Sequence, residues 1–424
     1  MNNDNYIWYP FTSLKSSFTP IHIERAKDCT LYAADGREYI DAISSWWVNI
    51  HGHANEVIAD AIAAQAKKLE HIIFAGFTHT PAIKLSQNLI EILPKHFSKV
   101  FFSDDGSTSV EVAIKMALQY WYNLGIKNKT KLVAFENAYH GDTFGAMSAG
   151  ARGAFNAAFQ NHLFVVHHIP VPDKNNIEAV KQQFKTLAKE GNVAAFLFEP
   201  LVQGSGGMLM HEASHLDELL SIAHQHQIVC IADEVMTGFG RTGKNFAIEY
   251  LQNHPDIICL SKGITGGFLP LGVSVCSQKI VQAFDSAEKE KTFYHGHSYT
   301  ANPLSCAAAN ASITLLMENA CQEKISFISQ LHYSFANTIK NHSSVKEVRH
   351  RGTILAIEFE TKEGSSYFNS IRDVLYEFYL SNGVLLRPLG NVVYIMPPYC
   401  ITETELNKVY DVIKQSIELI SKKG

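Results

Sequence analysis

The sequence predicts an α/β protein built on a mostly parallel, seven-stranded sheet in a large domain, with a smaller α/β domain after it. Seven short apolar runs rich in β-branched residues lie between Lys99 and Ser277, helical patterns separate them, and the pattern changes after Asn302-Pro303. Near-continuous apolar strands alternating with helices are what a parallel sheet covered on both faces requires. At 424 residues the chain exceeds one compact core, so more than one structural unit is expected. The expected division is an N-terminal segment 1–55 that contributes to the small domain and the active site, a large domain 56–310, and a small domain 311–424.

From Tyr6 to about Asn55 the chain is aromatic and irregular, with Trp8-Tyr-Pro-Phe-Thr12 and later Ile43-Ser-Ser-Trp46-Trp47-Val48. Adjacent tryptophans on an extended chain point to opposite sides, so at least one faces a pocket or another subunit. Glu56 to Glu70 carries Val57, Ile58, Ala61 and Ile62 at helical spacing. The seven runs follow: Val100 to Ser103, Lys131 to Phe135, Phe164 to Ile169, Val193 to Phe198, Ile228 to Ala232, Ile257 to Leu260 and Leu271 to Cys276. After the first of them Thr108-x-x-Glu111 marks a helix start, and Val110, Ala113, Ile114, Ala117 and Trp121 share one face of that helix. A long helix runs through Ala307 to Met317. Strands are expected over Gly352 to Phe359 and Val384 to Pro397, the latter folded as a tight hairpin at Gly390-Asn391. The closing helix opens on a capping box, Thr402-x-x-Glu405, and carries Leu406, Val409, Ile413 and Ile417 on one face.

A hydrophobic content of 46% with 18% charged residues excludes a disordered chain. Net charge of -5 and scattered lysines point away from nucleic acid and membrane surfaces and toward a small-molecule partner. No apolar run approaches membrane-spanning length, and Met1 to Asn5 is polar, so a soluble cytoplasmic protein is expected. Seven cysteines, an odd count without C-x-x-C, read as reduced core thiols.

Ligands of such sheets sit beyond the carboxyl ends of the strands, and four strand ends and one further segment carry chemistry. In Ile257-Ile-Cys-Leu-Ser-Lys-Gly263 a buried strand ends by presenting Lys262. That amine either snorkels to solvent or serves Schiff-base chemistry. In Ile228-Val-Cys-Ile-Ala-Asp233 the neighbouring feature is a carboxylate, which either caps a loop or keeps a pyridinium nitrogen protonated. Gly106, Ser107 and Thr108 at a helix start suit a phosphate. Tyr139, in Asn137-Ala-Tyr139-His140-Gly141-Asp142, either packs in the core or stacks on a planar cofactor. Last, His295-Gly296-His297-Ser298 offers a hydroxyl beside glycine. Its two histidines lack a carboxylate or cysteine companion, so no metal is expected. Gly238-Phe-Gly240-Arg-Thr-Gly243, with Asp256 beyond it, matches a dinucleotide motif, but five residues separate it from the strand, so the tight strand-to-helix turn is missing.

With Asp233-Glu-Val-Met-Thr-Gly-Phe-Gly-Arg-Thr-Gly243 ahead of Ser261-Lys262-Gly263, the chain resembles class III pyridoxal-phosphate aminotransferases over nearly its whole length. Ile7-Trp-Tyr-Pro-Phe-Thr, Ser44-Ser-Trp-Trp-Val, Tyr139-His-Gly-Asp-Thr-Phe-Gly-Ala-Met, Asn302-Pro-Leu-Ser-Cys and Tyr394-Ile-Met-Pro-Pro-Tyr are similar to members that aminate 8-amino-7-oxononanoate from S-adenosylmethionine in biotin synthesis. The resemblance implies fold type I, pyridoxal 5'-phosphate as cofactor, and a homodimer with active sites at the subunit interface. By that resemblance Lys262 would hold the cofactor covalently and shuttle a proton, Asp233 would pair with the ring nitrogen, and Gly106 and Ser107 would cradle the phosphate. Tyr139 would line the ring and substrate, and Val235 would pack on the ring's other face. Gly296, His297 and Ser298 would reach the phosphate and substrate of the neighbouring subunit. Phe11, Trp46, Trp47, Asp142 and Arg387 match substrate-recognition positions, Arg387 being suited to a carboxylate by its planar fork. Some members have tyrosine at Phe11, proline at His297 and threonine at Ser298. The lost hydroxyl at Phe11 leaves lysine as an alternative amino donor, and another class III ω-aminotransferase acting on diamines or ω-amino acids as the alternative enzyme.

Overall fold

The structure, a computed structural model, describes residues 6–15, 19–153 and 155–421. All seven apolar runs form strands of one sheet: β1 (Phe97–Ser103), β2 (Lys131–Phe135), β3 (Val166–Ile169), β4 (Val193–Phe198), β5 (Val229–Asp233), β6 (Ile257–Leu260) and β7 (Gly272–Ser277). Their spatial order is β1-β7-β6-β5-β4-β2-β3, and only β7 runs antiparallel to its neighbours. The continuous apolar character of these strands has a direct cause. Cys230 and Ala232 of β5 enter the core on one face of the sheet while Val229 and Ile231 enter the core on the other, and Ile258 with Leu260 and Ile257 with Cys259 divide β6 in the same way. A strand buried on both faces has no polar alternation to show.

The register sets two chemical groups side by side. Parallel pairing of β5 with β6 matches Asp233 to Cys259, so Lys262 lies three residues beyond that level on the adjacent strand. The helix after β1 spans Gly106–Asn123 and buries Val110, Ala113, Ile114, Ala117 and Trp121. Its start differs from the expected Thr108-x-x-Glu111 box. Asp105 is the cap, accepting from Thr108 N at 2.8 Å, while Thr108 Oγ1 accepts from Asp105 N at 3.1 Å. Glu111 is drawn away instead to a second loop, where Oε2 accepts from Thr143 Oγ1 at 2.7 Å and Ala146 N at 3.0 Å.

Three smaller sheets accompany the seven-stranded one among the described residues, the smallest being Val202–Gln203 paired antiparallel with Leu209–Met210. Val345–Arg351, Ile354–Phe359 and Val392–Ile395 form an antiparallel three-stranded sheet. Ile23–Lys27, Thr30–Ala33, Glu38–Asp41 and Val384–Leu385 form a four-stranded one. The hairpin expected over Val384 to Pro397 is therefore not formed. A tight turn exists, with Gly390 at φ +65° and a single Leu389 to Val392 bridge, but the chain before it leaves to pair in parallel with Ile40 and Asp41. Pro388, which has no N–H to donate, would interrupt the hairpin ladder just there.

The closing helix, Glu403–Ser421, buries Leu406, Val409, Ile413 and Ile417 as its periodicity requires. Its capping box is complete: Glu405 Oε2 accepts from Thr402 N at 2.8 Å and Thr402 Oγ1 accepts from Glu405 N at 3.2 Å. Thr402→Ala is expected to lower unfolding free energy by about 1 kcal/mol, measured by urea denaturation with an unchanged m-value. Among the described residues, no helix is long and apolar enough to cross a membrane.

Candidate active site

The tryptophan pair is not on an extended chain, in contrast to the sequence expectation. Ser44, Ser45 and Trp47 all have positive φ, at +51°, +57° and +71°. Such backbone costs about 1–3 kcal/mol per residue and persists only where surroundings over-determine it. Here they do. The buried Asp41 carboxylate accepts from Ile43 N at 3.1 Å and Ser45 N at 2.7 Å, Ser44 Oγ donates to Met396 O at 2.9 Å, and the Arg241 guanidinium donates to Trp47 O at 3.3 Å. The turn separates the two rings. Trp47 is buried, its Nε1 donates to Tyr394 Oη at 2.9 Å, and its ring lies 5.2 Å from Lys262 Nζ. Trp46 is 43% exposed, with Phe11 edge-on at 5.6 Å and the Arg387 guanidinium 4.7 Å from its ring centre.

Lys262 itself sits at φ +44° just past β6. No hydrogen bond holds its Nζ among the described residues. It faces a cavity of about 350 Å³ whose walls include Asp233, Gly106, Ser107, Tyr139, Val235 and Trp47. Burial pushes the Lys262 amine below the ordinary lysine value, against the pull of Asp233, Glu199 and Asp105. A lysine so placed is readier to act as a free base.

Asp233 is buried, and both carboxylate oxygens are engaged: Oδ2 with His140 Nδ1 at 2.7 Å, Oδ1 accepting from Val235 N at 3.1 Å. These contacts fix the plane of the carboxylate at the cavity wall. Tyr139 Oη donates to Asp142 Oδ2 at 2.9 Å. Burial, then the Asp142 charge, pushes that phenol upward and keeps it protonated. Ser107 Oγ accepts from Asp142 N at 3.2 Å, and this approach depends on Gly141, where φ is +130° and a Cβ would lie 2.2 Å from Ser107 Oγ. Val235 packs on Gly106 so closely that a Cβ there would come within 2.6 Å of Val235 Cγ1.

One chain thus brings Lys262, Asp233, Tyr139, Gly106, Ser107, Val235 and Trp47 onto one cavity, with Asp142 joined through Tyr139. Phe11, Trp46 and Arg387 form a second group around the Trp46 ring. Gly296, His297 and Ser298 do not reach the Lys262 cavity of their own chain. They line a separate one with His71, Phe74 and Phe102.

Two buried titratable residues on the Lys262 cavity escaped the sequence reading. His140 orients Asp233, although the strands leading to them, β2 and β5, are separated by β4 and nothing in the linear order pairs them. Glu199 directly follows β4, so the strand-end rule would have found it. It accepts from Tyr139 N at 3.2 Å and Gly204 N at 2.9 Å, tying two loops of the cavity together. Burial pushes its carboxyl up to about 7 from an ordinary 4.5. Between those values the folded chain binds more protons than the unfolded one, so this group makes stability fall as pH rises from 4.5 to about 7. Glu199→Gln is expected to remove that slope, worth roughly 3 kcal/mol across the window, in denaturation curves taken at a series of pH values.

A lysine and a carboxylate lie at adjacent strand ends, with a helix start and an aromatic ring completing the cavity. The family described as aminotransferase class-III matches residues 12–417. The chain belongs to the class-III aminotransferases. It is therefore a pyridoxal-phosphate-dependent aminotransferase of the α/β transferase fold. It is 47% identical over 429 residues to the adenosylmethionine-8-amino-7-oxononanoate aminotransferase of Synechococcus elongatus, covering 99% of this chain and 100% of that one. The crystal structure of the Methanocaldococcus jannaschii enzyme of the same name matches with a TM-score of 0.93 at 36% identity, covering 98% of this chain and 97% of that one. An amine transaminase from an uncultivated Pseudomonas species, solved in its PLP-bound form, matches with a TM-score of 0.88 at 28% identity, covering 96% and 97%.

The class-III cavity fits its cofactor on the chemistry of its walls. A carboxylate suits a protonated ring nitrogen, and an amine without a hydrogen-bond partner suits an aldehyde. First-turn N–H groups, which have no acceptor inside a helix, suit a phosphate.

Proposed function

We propose that this aminotransferase takes an amino group from S-adenosylmethionine and gives it to 8-amino-7-oxononanoate, making 7,8-diaminononanoate for biotin. The full-length 47% identity to the Synechococcus elongatus enzyme carries this reading. Bound pyridoxal phosphate supplies an aldehyde that takes up the amino nitrogen and a ring that draws electrons from the neighbouring carbon. Lys262 anchors the cofactor and moves the proton at the amino-bearing carbon. Its lowered affinity for protons suits that task. Asp233, held by His140, keeps the proton on the ring nitrogen. Gly106 and Ser107 hold the phosphate, Tyr139 and Val235 confine the ring, and Tyr139, Trp47 and Asp142 line the substrate side. Phe11, Trp46 and Arg387 take the far end of the substrate, Arg387 binding its carboxylate.

The active enzyme is a cytoplasmic homodimer in which Gly296, His297 and Ser298 of each chain complete the neighbour's site. Their separation from their own Lys262 cavity supports this, as do exposed Ile73, Phe77, Tyr294 and Tyr299 along the same part of the surface chain. Segment 1–55 serves both the small domain and the site, since Val384–Leu385 extends its sheet; 56–310 and 311–424 are the large and small domains. Phe11, which packs its ring on Trp46 and has no hydroxyl, favours a second donor, lysine, as the variant reading.

A donor screen decides. With 8-amino-7-oxononanoate as acceptor, S-adenosylmethionine is expected to give the highest kcat/KM among S-adenosylmethionine, lysine and short diamines. Turnover with lysine alone would move the assignment to the variant. Failure to use the oxononanoate while aminating other aldehydes or ketones would move it to a general ω-aminotransferase.

A further inference from the structure

Cys29 and Cys400 are 371 positions apart in sequence, yet their sulfurs lie 3.5 Å from each other. Cys29 sits in the turn between Ile23–Lys27 and Thr30–Ala33 and is buried, while Cys400 sits in the turn ahead of the closing helix and is half-buried. Both turns are tied to the same segment, Ile50 to His53. Asp28 and His53 exchange backbone hydrogen bonds at 3.1 and 2.7 Å, and Tyr399 N donates to Ile50 O at 2.8 Å. Neither thiol belongs to the Lys262 cavity. Closure to a disulfide at about 2.05 Å asks for a sulfur movement on the scale of a side-chain rotation.

We propose that Cys29 and Cys400 are an oxidisable pair that closes into an intrachain disulfide on exposure to a low-molecular-weight disulfide. Cys400, the more accessible thiol, loses its proton and attacks the oxidant; one oxidant sulfur leaves as a thiol and the other stays bonded to Cys400. Cys29 then gives up its proton and attacks Cys400 Sγ, releasing the second oxidant sulfur as a thiol. Two protein thiols are oxidised and one small disulfide is reduced to two thiols. The order follows from burial, and from the hydrogen bond to Cys400 and burial that together hold Cys29 protonated. The cross-link would join the segment that carries the Trp46–Trp47 turn to the C-terminal segment. Cys29 O accepts from the same Asp41 whose carboxylate fixes that turn.

The test uses holoenzyme incubated with glutathione disulfide, blocked by alkylation, digested without reduction and mapped by mass spectrometry. One cross-link joining the Cys29 and Cys400 peptides is expected. Melting temperature should rise by several degrees and return on reduction, with neither change in Cys29→Ser or Cys400→Ser. Full alkylation of Cys29 after oxidation would overturn the proposal. So would a bond from Cys400 to Cys321, whose thiol feels the Cys400 charge, or a glutathione adduct on Cys400 that never resolves.

Discussion

Lys262→Ala is expected to abolish multiple turnover and to remove the visible, borohydride-reducible chromophore of the holoenzyme. Proton transfer alone accounts for a loss of ~10² to 10⁴ in rate, and the missing covalent anchor removes more. Steady-state assays and an absorbance spectrum of the purified variant check this; normal cycling would refute the role given to Lys262. The same substitution has a signature in the protein without cofactor. Burial lowers the Lys262 value below 10.5, so from that lowered value up to 10.5 the unfolded chain binds more protons and stability rises with pH. The alanine variant should lose this rise, the opposite in sign to the slope that Glu199 contributes.

Asp233→Ala is expected to lower kcat by ~10² to 10³, the usual scale for removing one preorganised charge from a reacting centre. His140→Ala should cost less, because the carboxylate remains and only its orientation is lost. His140 is expected to act through Asp233, which it contacts at 2.7 Å. The double variant should therefore be no slower than Asp233→Ala, and additive losses in kcat would show that His140 has an independent role.

The large sheet was legible because burial on both faces leaves a continuous apolar run, the strongest signal a strand of this kind emits. Lys262, Asp233 and Gly106 to Ser107 were legible for a related reason, since each ends such a run or opens the helix after it. What failed to show has a common origin in distance along the chain. His140 finds Asp233 only through the sheet order, and Glu111 leaves its own helix start for Thr143 and Ala146. The Trp46–Trp47 turn was read as extended because its positive φ values are imposed by Asp41, Arg241 and Met396, not by the local residues. Val384–Leu385 follows the same rule. Its partners, Ile40 and Asp41, are far earlier in the chain, and no local pattern announces them.

The single reversed strand, β7, bears on how the site assembles. Because it pairs antiparallel with β6, the connection between them is short, and Ser261, Lys262, Thr265, Gly267, Leu269, Pro270 and Leu271 within it all line the cavity. Every parallel pairing in the sheet must instead wait for a distant segment, at a higher cost in loop-closure entropy. Contact order therefore favours this strand pair among the earliest of the sheet to close. The lysine-bearing wall would then form as one local piece, onto which the carboxylate and the helix start are later docked.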